Sequence, residues 1–74
     1  MASEKKLLRS AQGVTVTEIS LRNNGVVVDR AYHVATLRTP ETWNFPSLAE
    51  ADARYIDEVG KCENDPFVQG RLGR

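Results

Sequence analysis

Apolar and polar residues alternate along VTVTEISLR, Val14 to Arg22, and the alternation changes phase halfway. Successive side chains of a strand point to opposite faces, so Val14 and Val16 share one face while Ile19 and Leu21 share the other. The β-branched content predicts a strand, and Asn24-Gly25 directly after it predicts a hairpin. A type I′ turn needs φ > 0 at both central residues, which Asn-Gly tolerates. With these two as the loop, Asn23 pairs with Val26, Leu21 lies opposite Val28, Thr17 opposite Tyr32 and Val16 opposite His33. The second strand runs through VVVDRAYHVATLR, whose polar middle, Asp29-Arg30, suits a bulge or a second turn. Thr39-Pro40-Glu41 reads as the next turn. Thr42 to Phe45 is a short third strand with Trp43 and Phe45 on one face, and Trp43 is expected at the centre of the core.

Beyond Pro46 the period changes to that of a helix. Ser47 and Glu50 have the spacing of a capping box, and Leu48, Ala51, Tyr55, Val59 and Cys62 follow as one apolar stripe, with Ala53 and Ile56 at its edges. Gly60 stands where the helix either ends or weakens. Pairing Leu37 with Trp43 and Ala35 with Phe45 puts these four on the face of Val14, Val16, Val27 and Ala31, and the stripe is expected to dock there. The opposite face then holds Ile19, Leu21, Val28, Tyr32 and Val34, edged by Thr15, Arg22 and Arg30, with no second helix to cover it. A bulge near Thr17-Glu18 would bring both apolar pairs of the first strand to the core side.

These elements make an α+β domain over residues 14–62: a three-stranded antiparallel sheet with one C-terminal helix on one face. Residues 1–13 are polar apart from Leu7 and Leu8 and are expected to form a mobile arm. Residues 63–74, with Pro66, Gly70 and Gly73, are expected to form a disordered tail.

A chain of 74 residues makes one small domain, which buries only about 60% of its surface on folding. Its single cysteine, Cys62, excludes an internal disulfide. Cys62 and His33 are too few soft ligands for a structural zinc. The lone thiol points to a reducing compartment, the cytoplasm, and no signal peptide or membrane span is expected. The formal net charge is zero, yet residues 1–30 carry five basic and three acidic groups, and residues 31–70 carry three basic and seven acidic. No catalytic set is visible. His33 has no nucleophile or acid patterned around it, and the five glycines are scattered singly, so none cradles a phosphate. Glu50, Asp52, Asp57 and Glu58 lack the Asp/Asn ladder of a calcium loop and read as a solvated helix face. No enzyme activity, cofactor or metal is expected.

The order of strands then helix, joined by Phe45, Ser47, Glu50 and Ala51, resembles the arm-type DNA-binding domains of phage integrases. That resemblance implies a sheet laid in the major groove, with Arg22, Arg30, Tyr32 and Arg38 reading it. Leu48, Glu50 and Ala51 also make the stretch similar to the small phage-encoded inhibitors of bacterial RNA polymerase, which implies a host-takeover protein that binds and blocks. The absence of net positive charge favours a protein partner over nucleic acid. The expected partner-binding residues are Ile19, Leu21, Arg22, Val28, Arg30, Tyr32 and Val34. The expected function is a small protein-binding regulator, with bacterial RNA polymerase the expected partner. A DNA-binding domain and a homodimeric structural module are the alternatives.

Overall fold

The computed structural model describes residues 2–73. Four strands, β1 (Ala2–Ala11), β2 (Val14–Asn23), β3 (Val26–Thr36) and β4 (Thr42–Phe45), form one antiparallel meander in the order β1-β2-β3-β4. Two helices follow, α1 (Leu48–Glu63) and α2 (Pro66–Arg71). The α+β class and the antiparallel sheet agree with the sequence pattern, but the sheet has four strands rather than three and there are two helices rather than one.

The extra elements come from the two segments expected to be disordered. Residues 2–11 are the edge strand β1, reached through a two-residue loop at Gln12-Gly13 that pairs Ala11 with Val14. Gln12 and Gly13 have φ of 50° and 78°, nearly matching Asn24 and Gly25 at 54° and 80°, so the two hairpins turn alike. Gln12 is an uncommon residue at positive φ. A tertiary bond helps hold it there, since Gln69 Nε2 donates to Gln12 Oε1 at 2.9 Å. Gly13 is favoured by its positive φ, and a Cβ there would also have to push aside the Leu37 side chain, whose Cδ1 would lie at 2.8 Å. At the other end, Asp65 accepts from the amides of Phe67 and Val68, and Pro66 occupies the first turn of α2. That is an ordinary N-cap, and it seats Val68, fully buried, in the core.

The hairpin loop at Asn24-Gly25 is where the sequence places it, but the register differs by one beyond Arg22. Asn23 pairs with Val26 and Arg22 with Val27, then Leu21 pairs with Asp29, leaving Val28 as a bulge. Val16 therefore faces Val34 and Glu18 faces Tyr32. The pairing of β3 with β4 also departs from expectation: Val34 meets Trp43 and Tyr32 meets Phe45. The two shifts agree with each other. Tyr32 and Val34 move to the face of Val14 and Val16, while Ala31 and Ala35 move to the opposite one.

Val14, Val16, Tyr32 and Val34 pack beneath α1 with Ala51, Cys62 and Val68; Leu8, Trp43, Phe45, Leu48, Tyr55, Val59 and Leu72 close the margins. Trp43 is thus at the rim rather than the centre, its ring covered by the Arg54 guanidinium at 4.7 Å. The helix stripe is as expected, and α1 runs through Gly60 to its cap at Asn64. Ser47 Oγ accepts from the Glu50 amide at 3.3 Å and donates to Glu50 Oε2 at 3.1 Å, so the carboxylate meets the hydroxyl. Replacing Ser47 by Ala orphans that amide. The expected loss is about 1 kcal/mol, read from urea denaturation.

Glu58 departs most from its expected place. It is fully buried, not solvated, and Arg38 Nη2 donates to both its carboxylate oxygens at 2.8 and 3.0 Å. Arg38 Nε adds a third bond at 3.1 Å. The pair ties the chain after β3 to the middle of α1. Glu58 falls between Tyr55 and Cys62 on the helix, next to the stripe, and only a basic partner lets it sit there.

Candidate protein-interaction face

β2 is regular at Thr17-Glu18, so its change of phase is real and marks where the core stops. Val14 and Val16 lie under the helix; Ile19 and Leu21 point away from it. Beyond Tyr32 the only buried residue of the sheet is the small Ser20. The three long strands nevertheless continue past this point to the loop at Asn24-Gly25, which gives the molecule its extents of 46 × 21 × 17 Å. About half of each strand projects as a tongue beyond the helix.

The tongue has two different faces. On the helix side stand Glu4, Lys6, Glu18, Ser20 and Arg30, in register with one another. Arg22 joins them through an ion pair with Glu4, 3.1 Å between Arg22 Nε and Glu4 Oε1. The other face of the sheet carries Lys5, Leu7, Thr15, Thr17, Ile19, Leu21, Asp29, Ala31, His33 and Ala35, with Asp29 directly opposite Leu21. Ile19 pairs directly with Ala31, and Leu7 stands diagonally from Ile19 across the Lys5–Ile19 and Leu7–Thr17 pairs. Leu7 is 59% exposed; Ile19, Leu21 and Ala31 are half-buried by their strand neighbours alone. At the tip, Val26 and the bulged Val28 add exposed apolar surface.

Of the seven residues expected to bind a partner, the structure brings only Ile19 and Leu21 together on the open face. Val28 lies beside them at the tip. Tyr32 and Val34 are core residues, because the bulge at Val28 and the β3–β4 register turn them inward. Arg30 lies on the helix side, exposed, and Arg22 is on that side too, held by Glu4. Leu7 and Ala31 are the face residues that sequence reasoning missed. Leu7 was hidden by the reading of residues 1–13 as an arm, and Ala31 by the register.

His33 lies in the same face and contacts Asn44 of β4, 3.1 Å from Nδ1 to Oδ1. Cys62 is buried and shares a hydrogen bond with Thr36 Oγ1, with 3.2 Å between sulfur and oxygen. Among the described residues, no three of His, Cys, Asp and Glu cluster as metal ligands, and no helix is long and apolar enough to cross a membrane. A groove between β1 and α1 is lined by Arg9, Ser10, Asp52, Tyr55 and Ile56. Across its floor Arg9 clamps Asp52 with two hydrogen bonds, at 2.6 and 3.0 Å. The hydrogen bond from Arg9 holds the Asp52 carboxyl below the usual aspartate value, and the same bond raises Arg9. A carboxylate with a lowered folded-state pKa adds stability above its unfolded pKa and loses it as pH falls through the folded one. Thermal melts should therefore drop below the ordinary aspartate range. In Asp52→Asn that part of the acid dependence should vanish.

Compared with protein families, curated proteins and solved structures, the chain matches none of them.

Proposed function

We propose that the chain is a small, non-catalytic protein-binding module whose contact surface is the open face of the tongue, centred on Ile19 and Leu21. The observation that carries this reading is the phase change of β2. A strand whose apolar residues leave the core side where the helix ends, and continue on the uncovered side, places apolar surface where folding does not need it. Three strands packed on neither face are also marginal by themselves, and a partner laid on Ile19, Leu21, Leu7 and Ala31 would supply the missing layer.

The arginines disfavour the nucleic-acid alternative. Arg38 is committed to Glu58, Arg22 to Glu4, and Arg30 stands on the helix side, while Tyr32 is in the core. Lys5 is the one basic residue that the β1 register puts on the open face. A major-groove reader needs a basic sheet face. The narrower reading, an inhibitor of bacterial RNA polymerase acting in the cytoplasm, rests on the strand-to-helix resemblance around Leu48, Glu50 and Ala51. Purified RNA polymerase is therefore the first partner to test.

Ile19→Asp and Leu21→Lys place a charge on the open face without setting two carboxylates opposite each other, and should leave the melting temperature within a few degrees of the parent. Both should abolish partner capture. Unfolding of either variant would show that this face is needed for the core. Capture unaffected by both would move the contact elsewhere on the molecule.

A further inference from the structure

β1 is a ten-residue strand paired on one side only, by β2, with a bulge at Leu8 between Leu7 and Arg9. Its regular stretch, residues 2–7, turns alternate amides and carbonyls outward, where an extended chain can add to the sheet. We propose that this edge takes an extended acidic segment of another protein as an added antiparallel strand, with Lys5 and Lys6 as its charge partners. The edge is a second surface, and the proposal stands whether or not the open face binds.

Charge decides the occupant. The one acidic residue of β1, Glu4, is engaged by Arg22, and Arg9 is engaged by Asp52. Lys5 and Lys6 have no carboxylate partner among the described residues and are both exposed. The edge thus presents two positive charges with no carboxylate in ion-pair contact, one on each face, with Glu18 across the strand pair from Lys6. Lys5 is in register with Ile19 on the open face, and Lys6 with Glu18 on the helix side. Two consecutive acidic residues in an added strand would meet one lysine on each face. A second copy of this chain is the competing occupant. Pairing β1 with itself about its centre sets Lys6 opposite Leu7 and Glu4 opposite Arg9 of the copy. Concentration-dependent shifts along β1 without peptide would therefore overturn the proposal.

The register also orders the ligand. In an antiparallel strand the residue opposite Leu7 precedes the one opposite Lys6, which precedes the one opposite Lys5. Leu7 is 59% exposed on the open side and wants an apolar neighbour. Further along, on the helix side, Ile56 stands 69% exposed in the groove beside Arg9 and Tyr55, where a second apolar residue can rest. The segment recognised is therefore extended, with an apolar residue followed directly by two acidic ones.

The probe is a ten-residue peptide of alternating Thr and Val with a central Val-Glu-Glu, titrated into the isotope-labelled full chain and followed by amide shifts and hydrogen exchange. Saturable shifts along β1, with slowed exchange at the alternate β1 amides that point away from β2, are expected. A peptide with Val-Lys-Lys at its centre should bind at least about tenfold more weakly, and so should the parent peptide to Lys5→Glu/Lys6→Glu. Lys6→Glu sets a carboxylate opposite Glu18, so Lys5→Gln/Lys6→Gln is the control: it should keep the parent melting curve and show the same loss of preference for the acidic peptide. Equal binding of the two peptides would overturn the proposal. So would an absence of saturable binding, or shifts confined to Ile19, Leu21 and Ala31.

Discussion

Tyr32→Ala is expected to cost about 3 kcal/mol, most of what a core of this size supplies. The ring sits at the end of the core, 9% exposed, with Phe45 beside it on β4 and Glu18 beside it on β2. Truncation removes the plug that separates the covered half of the sheet from the tongue. Tyr32→Asp should unfold the chain outright, because it adds a buried charge without a partner. A residue of the binding face would instead tolerate Asp and lose only the partner. Urea denaturation of Tyr32→Ala beside Ile19→Asp measures the contrast: a large fall in midpoint for the first, little change for the second.

Breaking the ion pair between Arg38 and Glu58 is the second large effect. Arg38→Met leaves the Glu58 carboxylate buried, with Lys61 Nζ at 3.6 Å as its remaining counter-charge. Removing one partner of a buried pair costs about 3 kcal/mol when nothing replaces its hydrogen bonds. Lys61 is too distant to replace those of Arg38, so the domain is left barely folded. Adding Glu58→Leu to Arg38→Met removes the orphaned charge and should recover most of the loss, because a well-packed apolar pair replaces a buried ionic one at little net cost. Denaturation midpoints of the two single variants and the double variant test this. A double variant no more stable than Arg38→Met would show that Glu58 is not sealed from water.

The sequence made the local signals plain and the long-range ones not. Asn24-Gly25, the cap at Ser47 and the stripe from Leu48 to Cys62 are each decided by neighbours in sequence, and the structure has all three. Residues 2–11 have no alternation of their own, since Lys5, Lys6 and Arg9 interrupt it; they form a strand because β2 offers an edge. The turn joining them uses Gln12, which lacks the Asn-Gly signature and is held by Gln69, a residue 57 positions away. The polar pair Asp29-Arg30 suits a bulge or a turn, but the bulge falls one residue earlier, at Val28, in a run of three valines where no residue marks the extra position. That one residue turned Tyr32 and Val34 from expected contact residues into core. Ile19 and Leu21 kept their place because the loop and the regular course of β2 determine it, which is why that part of the face was legible.

The central claim is that one face of the sheet is covered by α1 and the other is open to solvent at Ile19 and Leu21. Methyl relaxation by a soluble paramagnetic probe tests it in a single spectrum series. Methyls of Leu7, Ile19 and Leu21 should broaden strongly, while those of Val14, Val16, Val34 and Val68 remain sharp. Protection of Ile19 and Leu21 equal to that of Val16 and Val34 would contradict the open face.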